Sequence, residues 1–269
     1  MDISRLSLNT ATIKSQCNLE QAIDLCKEYG IPAIGPWRDK LEECGIEKAA
    51  KRIQEAGLRV SGLCRGGFFA LDHQYNWDDN KRAIDEALAI HADCLVIVSG
   101  GMIAGSKKLA DTHKYITEGL AKMVDYAKPQ GMPIALEPLH PMYAADRCSI
   151  NTLGHSLDIC EEIGDGIGVA IDAYHVWWDP QLAQQLKRAG ELKAILGYHV
   201  CDWLSPTKDM LVDRGMMGDG IIDLKDLSNK VSEAGYEGFV EVEIFSTDWW
   251  AQDAKKVIEN TVDRFERFV

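Results

Sequence analysis

Four side chains in the second half of the chain are of metal-ligating or proton-transferring type, and each lies at or near the end of a short apolar run. They are Glu137 in Ala135-Leu136-Glu137-Pro138, Asp172 in Ala170-Ile171-Asp172, His199 in Tyr198-His199-Val200 and Glu243 in Glu241-Val242-Glu243-Ile244. If these runs are neighbouring strands, three carboxylates and an imidazole converge. Like charges a few ångströms apart raise each other's pKa unless a cation neutralises them, so one bound divalent ion resolves the arrangement. An oxygen-rich set with one imidazole and no thiolate suits manganese first, with magnesium or cobalt as alternatives, rather than structural zinc. Singly, each residue has an ordinary explanation, such as a carboxylate beside a lysine or an aspartate capping the next turn of the chain. Four of them in order on successive strand ends are much harder to dismiss. Glu241 shares a strand face with Glu243 one pleat further from the strand end, which makes Glu243 the better ligand.

The elements that must carry these residues repeat from one end of the chain to the other. Strand candidates run Ser4 to Asn9, Ala33 to Pro36, Arg59 to Cys64, Cys94 to Ser99, Ile134 to Glu137, Gly168 to Asp172, Gly197 to Val200 and Phe239 to Ile244. Between them, segments such as Leu19 to Tyr29, Gly45 to Ala56, Asp78 to His91, Ala110 to Lys128 and Ser156 to Ile163 carry apolar residues at helical spacing. Strict alternation implies parallel pairing, because a parallel strand needs a crossover that a helix supplies. Eight such units in 269 residues indicate a single closed (β/α)8 TIM barrel over residues 1–269. In such a barrel the chemistry lies at the C-terminal strand ends, where the four residues fall.

An open doubly wound sheet also alternates strands and helices, but its nucleotide fingerprint is missing. The cluster Gly164-Asp165-Gly166-Ile167-Gly168 precedes a strand instead of following one. In Gly100-Gly101-Met102-Ile103-Ala104-Gly105-Ser106-Lys107 the lysine comes one place too late for a phosphate loop, so the segment reads as a strand-to-helix connection.

The formal charge of −13, from 42 acidic and 29 basic residues, argues against nucleic acid and anionic membranes and points to a small neutral ligand. Eight scattered cysteines with no C-x-x-C pair read as free, structural thiols. The N-terminus shows no secretory pattern, and the most apolar stretch, Cys94 to Gly105, is too short to span a bilayer. A cytoplasmic location is the expectation.

Taken together, Leu136-Glu137-Pro138-Leu139, Ile171-Asp172-Ala173-Tyr174-His175, His199-Val200-Cys201-Asp202, Arg214-Gly215-Met216-Met217-Gly218-Asp219-Gly220 and Glu241-Val242-Glu243 give the chain a family likeness. Over nearly its whole length the sequence resembles the sugar phosphate isomerase/epimerase family of xylose isomerase-like barrels, which includes ketose 3-epimerases and inosose-processing enzymes. The resemblance implies that Glu137, Asp172, His199 and Glu243 bind the metal and that His175 and Arg214 contact substrate oxygens. A related branch cuts DNA at abasic sites with three zinc ions and extra histidines. Here Ser99 ends the fourth strand and Gly215 follows Asp213-Arg214, so those histidines are missing.

The expected reaction is isomerisation or epimerisation of a sugar or ketosugar. The metal would chelate a carbonyl and the adjacent hydroxyl, and Glu137 and Glu243 would remove and return the proton through an enediolate. Dehydration or β-elimination is the nearest alternative, with His140, His175 or Tyr143 as the acid. A reading from another class is a noncatalytic sugar-binding or partner subunit. Trp37, Arg38, Arg65, Phe68 and Phe69, with Trp177, Trp178, Trp249 and Trp250, gather near strand-end loops and could face a sugar or a second copy in a homo-oligomer. Trp37, Arg65 and His140 are the further candidates for substrate contact.

Overall fold

The computed structural model describes residues 1–69 and 76–269. Its strands are β1 (Leu6–Asn9), β2 (Ala33–Gly35), β3 (Arg59–Val60), β4 (Leu63–Gly67), β5 (Leu95–Val98), β6 (Ile134–Leu136), β7 (Ile167–Asp172), β8 (Ile195–Val200), β9 (Asp202–Trp203), β10 (Arg214–Gly215) and β11 (Val240–Val242). Nine of them form one parallel sheet in the order β3-β2-β1-β11-β8-β7-β6-β5-β4, while β9 and β10 pair separately and antiparallel. The terminal members, β3 and β4, are consecutive pieces of one stave broken at Ser61-Gly62. That stave joins both its neighbours, through Cys64 N–H to Pro36 O at 3.1 Å and Leu63 N–H to Cys94 O at 3.0 Å, so the sheet closes on itself. The third strand therefore differs from the single run Arg59 to Cys64 that the apolar pattern suggests: it breaks, resumes, and continues to Gly67.

Period-two alternation decides what faces the barrel interior. Leu6 and Leu8, Leu95 and Ile97, Ile134 and Leu136, Val169 and Ile171, and Val240 and Val242 turn outward into the large core shared with the helices. Their alternates turn inward. Cys64, Cys94, Val96, Ala135 and Ala170 make a small separate interior cluster that plugs the barrel. Above this plug the inward positions become polar: Ser7 and Asn9, Glu137, Asp172, His199, Glu241 and Glu243, all buried. A polar layer over an apolar plug is the platform of the site.

The helices are α1 (Leu19–Glu28), α2 (Arg38–Cys44), α3 (Ile46–Ala56), α4 (Trp77–Ala89), α5 (Leu109–Ala127), α6 (Leu153–Ile163), α7 (Ala173–Val176), α8 (Leu182–Glu191), α9 (Leu224–Glu233), α10 (Thr247–Trp250) and α11 (Ala254–Phe268). Local chemistry starts several of them. Asn18 and Gln21 form a reciprocal capping box on α1, and Asn76, Thr152, Asp223 and Asp253 cap α4, α6, α9 and α11 through their side chains. No helix among the described residues is long and apolar enough to cross a membrane.

Candidate active site

Glu137 follows the last residue of β6, Asp172 ends β7, and His199 lies one residue before the end of β8. Their ligand atoms lie within 4.8 Å of one another, and all three residues are buried. Register brings this about: Asp172 pairs with His199 across β7 and β8, and His199 pairs with Glu241 across β8 and β11. Glu243 stands one pleat nearer the mouth.

Two atoms of this group, Glu137 Oε1 and His199 Nδ1, are buried without a hydrogen-bond partner among the described residues. They lie 3.3 Å apart but are not aligned to bond each other. Orphaned buried polar atoms are costly, and two of ligand type side by side fit a cation between them. The other ring nitrogen, His199 Nε2, lies 3.9 Å from Glu241 Oε2, so a carboxylate stands on the side of the ring away from the trio.

Asp172 caps α7 through Oδ1, which accepts the Tyr174 N–H at 2.8 Å. Its Oδ2 accepts from Arg214 Nη1 at 3.0 Å, and the same Nη1 donates to Glu243 Oε2 at 3.1 Å. Arg214 thus spans the gap between Asp172 and Glu243, so Glu243 is held at the edge of the trio. The buried guanidinium is flanked by Tyr174 at 4.4 Å and Phe245 at 5.0 Å. Asn9 donates to Glu241 Oε1 at 2.6 Å and Glu243 Oε1 at 3.1 Å, and Ser61 Oγ donates to Glu241 Oε2 at 2.6 Å. Gly35 leaves the room this needs, because a Cβ there would stand 2.2 Å from Glu241 Oε1.

The electrostatics follow from four carboxylates gathered around one permanent cation. Burial pushes Glu137 up to about 7, with Asp172 and Glu243 adding to the rise and His199 opposing it. Burial opposes a charge on His199, but Glu241, Glu137 and Glu243 outweigh it and raise its pKa to about 10. His175 goes the other way: burial drives it down to about 3, with Asp172 opposing and Arg214 assisting, so the ring is neutral. Its Nδ1 accepts the His140 N–H at 3.3 Å, and its Nε2 lies 3.3 Å from Arg214 Nη2, a donor-only group, and 3.6 Å from Asp172 Oδ2.

Above this layer opens a cleft of about 220 Å³ whose lining includes Glu137, Glu243, His175, Arg214, Trp37 and Arg65. Trp37 packs edge-on against Phe245 at 5.3 Å to form one wall. His140 is not among the lining residues; it sits against Trp178 and Trp203 and its backbone N–H donates to His175. Arg38 is bound to Asp79 and Glu86, and Tyr143 OH donates to Met210 O.

Three polar residues that support this layer have no role, or a lesser one, in the sequence reading. Asn9 is the polar residue that ends the first strand, so the strand-end rule applied to the first half of the chain would have found it. Glu241 is visible as a candidate, but its partnership with His199 depends on cross-strand register. Asp202 lies in the motif His199-Val200-Cys201-Asp202 but takes no role from it there: its Oδ1 accepts N–H groups from Trp203 and Ile222, and its Oδ2 accepts from Gly218 and Gly220, at 2.8–3.0 Å. This knot ties β9 and the 215–222 loop around β10, which delivers Arg214.

The closed parallel barrel with its polar layer over the C-terminal strand ends defines the class, and the chain belongs to the xylose isomerase-like TIM barrel family, whose model matches residues 23–267. Inosose isomerase from Halalkalibacterium halodurans is 31% identical over 277 residues, covering 96% of this chain and 94% of its own. The crystal structure of protein SMc04130 from Sinorhizobium meliloti 1021 is 52% identical and covers 99% of each chain, with a TM-score of 0.96. The crystal structure of IolI protein with a bound zinc atom superposes with a TM-score of 0.83 at 23% identity, covering 98% of this chain and 99% of its own.

Proposed function

We propose that the chain is a divalent-metal-dependent isomerase or epimerase of a sugar or ketosugar, with residues 1–269 working as one barrel domain. The observation that carries this reading is the buried trio Glu137, Asp172 and His199, with two ligand atoms lacking a hydrogen-bond partner among the described residues, beneath a cleft lined by Glu137 and Glu243. The inosose isomerase relative, similar over almost the full length of both chains, supports the reaction class. Glu137, Asp172 and His199 would hold the ion with Glu243 completing the set, and manganese is the ion proposed on the oxygen-rich donors. When bound, the ion supplies Lewis-acid polarisation of a carbonyl and its neighbouring hydroxyl.

The chain's own groups do the rest. Glu137 and Glu243 stand on staves separated by β7 and β8, so they meet a ligand in the cleft from two sides and can take and return one proton. Arg214 Nη1 fixes Glu243 and Asp172 in place, Arg214 Nη2 lies 3.3 Å from Nε2 of the neutral His175, and both side chains line the cleft where substrate oxygens would lie. Trp37 and Phe245 cover the apolar face of the sugar and keep water from the exchanging proton.

Isomerisation is favoured over elimination because two of the three candidate acids are committed elsewhere, which leaves His175, a cleft residue, as the third. Tyr143 OH is bonded to Met210 O, and His140 lies outside the cleft. The thiols, all free, fit a reducing compartment, and we place the protein in the cytoplasm. The test is exchange of substrate hydrogen with heavy water across a panel of ketoses and inososes. Exchange by the native protein that is abolished in Glu137→Gln and Glu243→Gln supports the assignment; full exchange in both variants removes it.

A further inference from the structure

The chain is strongly acidic, yet three cations, Lys14, Arg65 and Arg147, line the same cleft, and none has a carboxylate partner among the described residues. Arginines elsewhere are mostly paired, as Arg38 is with Asp79 and Glu86, Arg52 with Asp24, and Arg188 with Asp158 and Glu161. The cleft cations instead rest on aromatic rings. Arg65 lies 3.9 Å from the Phe68 ring centre, Arg147 5.7 Å from Tyr143, and Lys14 4.1 Å from Trp250. Stacking of this kind holds a guanidinium's plane while leaving its N–H donors free.

Arg65 is placed there by the strand itself. Cys64 pairs with Val96 and Gly66 with Ile97, so Arg65 is the extra residue of a β-bulge between them. A bulge takes one side chain out of the alternation and re-aims it, and bulges concentrate beside binding sites. Arg147 reaches the same cleft from the segment after β6, tied by its N–H to Tyr143 O at 3.0 Å. Burial, and then the neighbouring charge of Arg147, hold the Arg65 pKa down to about 10, although Cys64 and Glu137 oppose the shift. Two partly buried guanidiniums lining one cleft, with no carboxylate partner among the described residues, suit an oxyanion.

The position where barrels commonly hold phosphate is closed by the same structure. In the 215–220 loop, the only glycine-rich segment in that late region, the Gly218 and Gly220 N–H groups point to Asp202 Oδ2. A Cβ at Gly220 would stand 2.5 Å from Asp202 Oδ1, so the loop is packed onto that carboxylate and has no cradle to offer. An anion in this cleft must be read by side chains.

We propose that the cleft takes an acidic sugar, a ketose or cyclitol bearing a carboxylate or phosphate group, with Arg65 and Arg147 gripping the oxyanion. The sugar hydroxyls then lie over Glu137 and Glu243, and specificity for the acid comes from the guanidinium pair. This rests on the reading of the cleft as a sugar site. The long-range field of the chain repels an anion, and the local pair overrides it at contact.

The test is isothermal titration of the metal-loaded protein with neutral hexuloses, their 6-phosphates and the corresponding hexulosonates, repeated on Arg65→Gln and Arg147→Gln, with thermal midpoints recorded for each variant. At least one acidic ligand is expected to bind about tenfold or more tightly than its neutral parent, with the advantage falling to parity in both variants and shrinking with added salt. Each variant's own affinity for the neutral parent is the reference for that advantage, so a general loss of sugar binding is separated from a loss of anion recognition. The phosphate and carboxylate arms tell which oxyanion is read, and Arg147→Lys, which keeps charge but loses the planar fork, should retain only part of the advantage. Acidic ligands no tighter than their parents across the panel, or an advantage intact in both glutamine variants, would overturn the proposal. Arginine-dependent binding without hydrogen exchange on any ligand would remove the isomerase reading and leave the anion site standing.

Discussion

Replacing Asp202 by asparagine keeps the size of the side chain and isolates one feature, a buried carboxylate that accepts four backbone N–H groups. Asparagine retains one oxygen and presents an NH2 group where the other stood, so two backbone donors face a donor. Bonds to a charged acceptor are worth about 1.5–3 kcal/mol each, so losing two costs roughly 3–6 kcal/mol, with local relaxation favouring the lower end. At about 2–4 °C per kcal/mol for a domain near this size, the midpoint should fall by about 6–12 °C. The loss should be local as well as global, because Gly218, Gly220 and Ile222 donate to this group and Gly215, beside Arg214, pairs with Asp202. Urea unfolding gives the first quantity and hydrogen exchange at those three amides the second. A variant within about 1 kcal/mol of the native protein, with the three amides still protected, would show that the knot does not hold the loop.

Glu241→Gln should weaken metal binding by about 10–100-fold while leaving the midpoint of the metal-free protein little changed, read by competition with a chelating dye. Gly35→Ala should give a similar loss, because its Cβ would stand 2.2 Å from Glu241 Oε1 and displace that carboxylate; dye competition reads this too. For His175, the folded pKa of about 3 lies below the ordinary 6.5, so only the unfolded chain takes up its proton as pH falls. Stability from this group is present above 6.5 and is lost at up to about 1.4 kcal/mol per pH unit on the way down to the folded value. His175→Gln should remove that slope from urea melts of the metal-free protein between about pH 6 and pH 4.

Much of the barrel is legible because the apolar runs alternate in and out, so Leu136-Glu137 and Ile171-Asp172 announce both a strand and the polar side chain above it. Helix limits follow from local chemistry, as the capping box at Asn18 and Gln21 shows. The features that stay hidden depend on lateral neighbours. That His199 stands beside Glu241, or that Asn9 bonds two glutamates more than two hundred residues away, follows from register between staves rather than from order along one. The break at Ser61-Gly62 and the bulge at Arg65 are likewise local departures from a ladder that apolar periodicity continues straight through. His140 is a candidate by its place after a strand end, yet its ring turns to Trp178 and Trp203, an outcome set by aromatic packing.

Metal content by mass spectrometry, measured on the purified protein after loading with manganese, cobalt or zinc and exhaustive dialysis, bears most directly on the centre built from Glu137, Asp172 and His199. One equivalent of a divalent ion per chain, reduced to background in His199→Gln and Asp172→Asn variants that remain folded, is the result expected. Background metal in the native protein after every loading, or a full equivalent retained by both variants, would contradict it.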